Sequence, residues 1–413
     1  MTGSLRTRLE RFRRSGEIVS GRQLAAGKIG QNNDHLFPGE SHEVETDFGL
    51  CYLREQRFPL NYRHGNNTLD GILSCCGSNL ALPAREPRLE TFDPCRSIFL
   101  DIETTGLAGG TGTWAFLIGL GWMENQFFIL RQYFLRHPAE EKAILSHFST
   151  EVSAHPMMIT FNGKMFDLPL LQTRQLLSGL RQTEPELHLD LLHCARTLWR
   201  KRLKSRSLRS IEESLLGLRR HGDIPGAEIP AVYFEYLRHN KTERLKTVFH
   251  HNALDILSMV TLLERISLLG GGSCIEHPAE ALSLGQLSIT AKRTNEGISY
   301  LQKAVEGNHS ALSVEASLEL ARYYKKEQNW PAAVSIWKKI IENEAANPIA
   351  LIELAKYYEH RCRDYCTALK LSKRALDMSA AFCFRRPGAD LTKAALYHRV
   401  RRLENRCLKI SRC

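Results

Sequence analysis

From Ser97 onward the apolar positions fall into short, dense runs rather than helical stripes. "SIFLDIE", "WAFLIGLGW" and "QFFILRQYF" read as three successive β-strands, joined by a Gly-rich turn and a short hairpin. The period then lengthens. "PAEEKAILSHFSTEVS" has helical spacing with acids in its first turn, "MMITFN" is a buried strand, "FDLPLLQTRQLL" is a second helix and "LHLD" a further short strand. A mostly helical stretch carries the pattern to Leu269. Three strands in hairpin order followed by strand–helix alternation predict an α/β domain over residues 96–269, a mixed sheet with helices on its faces. Residues 1–95 are less regular. "GLCYLREQRF" alternates as a strand does and "LDGILSCCGSNLAL" has helical character, but Gly, Pro and Asn interrupt both and no fold is predicted for the region.

"GGGSC", Gly270 to Cys274, reads as a linker. Beyond it the sequence repeats: "ELARYY" at Glu319–Tyr324 returns as "ELAKYY" at Glu353–Tyr358, an offset of 34 residues, the period of a tetratricopeptide helix pair. Each is followed by a second helix with alanine at the close-packing position, "PAAVSIWKKII" and "CTALKLSKRAL", though the second copy has one extra residue in its turn. A weaker copy, "LGQLSITAKRTNEGISYLQKAV", aligns at an offset of 36. Three repeats are about the minimum for a self-supporting stack. Residues 275–378 are therefore expected to be an all-α tetratricopeptide-like repeat domain, with a generic helical bundle as the alternative, and residues 379–413 a basic tail that includes a capping helix.

Length and charge narrow the classes. A chain of 413 residues buries a large core and makes two or three domains. It has no apolar run long enough to cross a bilayer, and the N-terminal "MTGSLRTRLERFRRSG" carries five arginines with no apolar stretch behind them, which argues against a secretory signal. The expected location is the cytoplasm. The 11 cysteines are scattered through a large chain, with Cys75 and Cys76 adjacent and Cys362 and Cys366 on one helical face, a distribution of reduced thiols without a zinc site. A net charge of +11 favours an acidic partner, nucleic acid or an anionic surface.

"FLDIETTGL" sharpens that choice. Asp101 and Glu103 stand at i and i+2 of a predicted strand, so both carboxylates point to one spot, where they repel unless a proton or cation lies between them. A divalent metal does this best. "FNGKMFDLPLL" places Asp167 at the start of a helix straight after a buried strand, with Asn162 and Gly163 in the turn. "FHHNALDILSMV" puts Asp255 on a late helix, with His251 one turn before it and His250 adjacent.

Four carboxylates in this order resemble the DEDD (DnaQ-like) superfamily of 3′→5′ exonucleases on the ribonuclease H fold, whose first motif is "DIETTGL" itself. A closer likeness covers most of the chain. "FLDIETTGLAGGTGTWAFLIGLG", "FNGKMFDLPLL", "DIPGAEIPAVYFEYLR" and "HHNALDILSMVTLLERI", with repeats behind them, look like the bacterial YprB-type family of ribonuclease H-like, repeat-containing predicted exonucleases. The resemblance implies that the N-terminal ninety residues belong to the same unit of descent, and that Asp101, Glu103, Asp167 and Asp255 hold two Mg²⁺ or Mn²⁺ ions, with Asp101 bridging both.

The group that positions or deprotonates water is left open by the resemblance, because one subclass has His five residues before the last Asp, here His250, and the other has Tyr four before it, here His251. Helical geometry favours His251, since i and i+4 share a face. Backbone N–H groups of Thr104, Thr105 and Gly106 are candidates for contact with a terminal nucleotide, with Asn162 and Lys164 beside them, Lys164 toward a phosphate. Asp190 is read as a helix N-cap rather than a fifth ligand. Nine Lys or Arg between Arg196 and Arg220, against Glu212 and Glu213, form either a solvated helical face or a strand-binding surface. The expected function is a metal-dependent 3′→5′ exonuclease on single-stranded DNA or RNA ends, whose repeats position substrate or hold a protein partner. The rivals are a non-catalytic nucleic-acid-binding protein and a structure-selective endonuclease.

Overall fold

The structure, a computed structural model, describes residue 37 and residues 40–106, 111–307, 310–343, 347–379 and 393–410. The Arg-rich N-terminus, residues 107–110 of the Gly-rich turn and part of the basic tail lie outside the described residues. The chain divides into two units, Met1–Cys274 and Ile275–Cys413.

The first unit is built on a mixed seven-stranded sheet of order β1-β2-β7-β6-β5-β8-β9. The strands are β1 (Ser41–Thr46), β2 (Gly49–Pro59), β5 (Ser97–Thr104), β6 (Ala115–Glu124), β7 (Phe127–Phe134), β8 (Met157–Thr160) and β9 (Leu187–Asp190), while β3 (Arg63–His64) and β4 (Asn67–Thr68) pair separately. The meander expected from the apolar runs is β5–β6–β7, antiparallel throughout, and β8 and β9 then add in parallel on the other side of β5. β5 is consequently central and buried on both sides: Ile98, Phe99 and Leu100 are almost wholly inaccessible. "GLCYLREQRF" is indeed a strand, β2, and it pairs with β7 from Leu53↔Tyr133 to Pro59↔Phe127. Residues from the irregular N-terminal region thus complete the same sheet.

"LDGILSCCGSNLAL" is not one helix. It divides into a 3-10 turn, Leu69–Ser74, and helix α1, Gly77–Ala84, because Cys75 and Cys76 are extended. The flanking helices are α2 (Glu141–Ser153), α3 (Asp167–Leu177), α4 (Leu191–Trp199), the short α5 (Leu208–Ile211), α6 (Ile229–His239) and the long α7 (Leu245–Gly270). Helix α7 crosses β6 at close range, and two glycines make this approach possible. A Cβ on Gly119 would stand 2.2 Å from Asn252 Oδ1, and one on Gly121 2.7 Å from Ile256 Cγ2. Gly270 ends α7 and packs on α1, where a Cβ would lie 1.9 Å from the Asn79 carbonyl oxygen. The first glycine of "GGGSC" is therefore a packing residue and not only a joint.

The second unit is all helical: α8 (Pro278–Thr290), α9 (Thr294–Glu306), α10 (Ser310–Lys326), α11 (Trp330–Asn343), α12 (Pro348–Tyr357), α13 (Tyr365–Ser379) and α14 (Lys393–Ile410). The repeat copies fall on α8–α9, α10–α11 and α12–α13. Gly285 and Gly297 bring the first pair together, with Leu301 and Ile289 filling the space a Cβ would take. The extra residue of the last copy is absorbed as a π-turn, Tyr358–Cys362, closed by Arg363 at φ 55°. That break corrects the reading of Cys362 and Cys366 as sharing one helical face, since they belong to separate segments. Cys366 instead faces Cys407 of α14, Sγ to Sγ 3.6 Å. Glu359, buried in the π-turn, accepts hydrogen bonds from Arg399 and Arg402, which seats α14 on the last pair. No helix among the described residues is long and apolar enough to cross a membrane.

Candidate functional site

Asp101 and Glu103 leave β5 on the face toward α7, as strand alternation requires. Asp167 reaches them from the first residue of α3, its carboxylate accepting from the backbone N–H of Ile102. Asp190 fixes the turn that delivers it. The Asp190 side chain caps α4 through Leu192 N (3.0 Å), as the sequence suggested, and also accepts from Asn162 N (2.8 Å) and Lys164 N (3.3 Å) across the β8–α3 turn. Asn162 holds φ 72° there, a conformation Asn tolerates better than most side chains. Asp255 and His251 descend from α7 on one helical face; His251 Nε2 lies 3.6 Å from Asp255 Oδ2 and 3.9 Å from Glu103 Oε1.

The electrostatics of this cluster are unfavourable as they stand. Burial, then the charges of Asp255, Glu103 and Asp167, hold the Asp101 carboxyl well above its usual range. Glu103 is raised well above its range by burial and by Asp255, Asp167 and Asp223. Asp167 is pushed up to about 7 by burial, with Asp190 and Asp255 adding to the rise against backbone hydrogen bonds that oppose it. Among the described residues Arg220 answers them: it hydrogen-bonds Asp255, and it is also bound by Glu212 (Nε–Oε2 2.8 Å) and Asp223 (Nη1–Oδ2 3.2 Å).

Several residues that complete the site were not singled out in the sequence. Asn252 donates to Asp101 Oδ2 (2.8 Å) and to the Asp101 carbonyl (3.1 Å), while its own oxygen accepts from Gln132 (2.8 Å). The signal was available in "LIGLGW", where two glycines in a strand mark the close passage of another element. Arg220 and Glu212, read as part of a basic helical face, are instead buried, their side chains 3% and 0% exposed. Arg196, Arg200, Lys204 and Arg209 of the same run do face solvent. His250 is exposed, whereas His251 turns into the cluster.

The proposed nucleotide contacts divide. The Thr105 N–H is spent on the Trp114 carbonyl (3.0 Å), and the Thr104 hydroxyl on the Gly106 carbonyl (2.9 Å), so the expectation that Thr105 offers its N–H to a nucleotide is corrected. Gly106 has open space around the position of a Cβ. Lys164 is exposed, and Asn162 lines a cleft of about 430 Å³ together with Phe161, Leu192, Arg196, Arg206 and the carboxylates Asp101 and Asp255.

Among the described residues no three His, Cys, Asp or Glu side chains converge on one ion-sized point in this arrangement. Their chemistry nonetheless fits hard divalent cations: all four donors are carboxylates, and Asp101, Glu103 and Asp167 are buried beside one another, whereas Arg220 pairs with Asp255, Glu212 and Asp223. A pH dependence follows. A carboxyl raised from 3.8 to about 7 keeps its proton in the folded state where the unfolded chain has lost it, so stability is lost as pH rises through that window. The thermal midpoint of EDTA-treated protein is expected to fall relative to Asp167→Asn over this range, and Mg²⁺ or Mn²⁺ should restore it most at the upper end. A parent-minus-variant difference independent of pH would contradict the assignment.

Residues 98–267 match the family model described as RNase_H superfamily. Over 401 residues the chain is 31% identical to the uncharacterized protein YprB of Bacillus subtilis (strain 168), a match spanning 91% of this chain and 94% of that protein.

Proposed function

Because this chain belongs to the YprB-type ribonuclease H-like family, we propose that it is a metal-dependent nuclease, acting as a 3′→5′ exonuclease on single-stranded nucleic-acid ends. The ribonuclease H-like domain suggests a nuclease acting on nucleic acid. The observation that carries the finer reading is the gathering of Asp101, Glu103, Asp167 and Asp255 from three elements onto one patch, with His251 Nε2 within 4 Å of two of them.

Two Mg²⁺ or Mn²⁺ ions held by these carboxylates supply, when bound, neutralisation of phosphate charge and a lowered water pKa. The protein's own groups set the stage for the displacement. Asn252 fixes the Asp101 carboxylate, and Asp190 fixes the turn that carries Asp167. His251 accepts the proton of the attacking water at Nε2, the ring nitrogen that faces Glu103 and Asp255. The cleft beside Asp101 offers Phe161 and Leu192 for a base, and Arg196 and Arg206 for phosphate. The helical repeats hold a protein partner or steer the strand.

The test is digestion of single-stranded DNA and RNA, labelled at either end, with Mg²⁺, Mn²⁺ or EDTA. Stepwise release of mononucleotides from the 3′ end, abolished by EDTA, is expected. Internal cuts as first products would make it an endonuclease, and salt-sensitive binding without cleavage would make it a binding protein.

A further inference from the structure

We propose that Asp223, held by Arg220, is the positioning residue that fixes the tautomer and orientation of His251. The inference rests on the reading of His251 as the proton acceptor, and it concerns a motif, "RRHGDIPG", that the carboxylate constellation leaves unused.

The geometry is specific. His251 Nδ1 lies 2.8 Å from Asp223 Oδ1 and 3.5 Å from Arg220 Nη1; Asp223, the much nearer partner, is a carboxylate that only accepts, which places the proton of the neutral imidazole on Nδ1. Nε2 is thereby left with its lone pair toward Glu103 and Asp255, at 3.9 and 3.6 Å. Burial works against the Asp223 charge, but hydrogen bonds and charge from His251 and Arg220 prevail and hold its carboxyl below the usual range. Both oxygens are engaged: Oδ1 also accepts from Ile224 N (2.9 Å), and Oδ2 from Arg220 Nη1 (3.2 Å).

Arg220 is fixed in turn. Its fork is gripped by Glu212, whose Oε1 accepts from Ser258 (2.5 Å), and Ser258 lies 2.8 Å from His64 Nε2 on β3. Burial, helped by the Arg220 charge, lowers the His64 pKa to about 4, and because the Ser258 hydroxyl donates to Glu212, its oxygen is left to accept from Nε2 of the neutral ring. The chain of contacts runs from the N-terminal region to the imidazole without a loose joint. A role confined to stability would need Arg220 and Glu212 alone. Asp223 adds a contact to the ring nitrogen opposite the one that faces the carboxylates.

The test uses full-length protein with Mg²⁺, ¹⁵N-labelled at histidine, with the His251 ring assigned by its absence in His251→Ala. Under alkaline conditions the ring shifts should show Nδ1 protonated and Nε2 bare, a result that needs no turnover. In Asp223→Asn the pattern should become mixed or reversed, and kcat should fall by about 10–100-fold while KM changes much less. Asp223→Glu should recover part of kcat. An Nε2-protonated ring in the parent overturns the proposal, as does unchanged kcat in Asp223→Asn. Loss of Mn²⁺ affinity with the tautomer unaltered also overturns it, by making Asp223 a ligand. If the tautomer is as expected but the parent cleaves nothing, the positioning stands and the nuclease reading fails.

Discussion

Asp101→Asn should reduce cleavage by on the order of 10³-fold or more while leaving nucleic-acid binding in place. Lewis-acid stabilisation of a phosphoryl transition state is worth several kcal/mol, and each tenfold in rate is about 1.4 kcal/mol, so removing the carboxylate that faces Glu103, Asp167 and Asp255 together removes most of the effect. The substitution is nearly isosteric, and the side-chain oxygen of the new amide can still accept from Asn252. It also relieves repulsion among buried acids. The EDTA-treated variant should therefore unfold at or above the parent's temperature, which separates lost chemistry from lost fold. Activity within about tenfold of the parent would sink the two-metal assignment.

His251→Ala should lower kcat by about 10²–10⁴-fold, the range for loss of a general base, with metal affinity little changed because the carboxylates remain. His250→Ala should stay within about tenfold of the parent, since that side chain is exposed while its neighbour faces Glu103 and Asp255. The reverse ranking would place the positioning group five residues before Asp255 and require α7 to turn its other face to the acids. Measuring both variants in one assay, with thermal unfolding alongside, decides between them.

Short dense runs of apolar residues determined five strands of the central sheet without help from the tertiary structure. β5, β6, β7, β8 and β9 coincide with "SIFLDIE", "WAFLIGLGW", "QFFILRQYF", "MMITFN" and "LHLD" to within a few residues, because a strand covered on both faces writes itself as an unbroken apolar run. Helical periodicity, with the 34-residue offset, determined the helix pairs after Ile275, since each helix must bury a stripe against the next. Asp101 and Glu103 were legible as a pair because i and i+2 on a strand share a face, while Asp167 and Asp255 joined them through the resemblance to the DEDD order of carboxylates.

What stood outside the sequence's reach has a common cause: partners far apart in the chain whose pairing carries no local period. Arg220 looked like one more solvated cation until the fold buried it between Glu212, Asp223 and Asp255. Asn252 meets Asp101 across 151 positions. β2 reaches the sheet through β7, whose paired residues lie 68 to 80 positions away, so its weak alternation gained meaning only once an edge was there to receive it. Thr105 lost its expected role for the same reason, its N–H being claimed by Trp114 from the far side of the Gly-rich turn. Local pattern chose the elements and aimed the carboxylates; long-range hydrogen bonding decided which charges are buried and which nitrogen of His251 faces them.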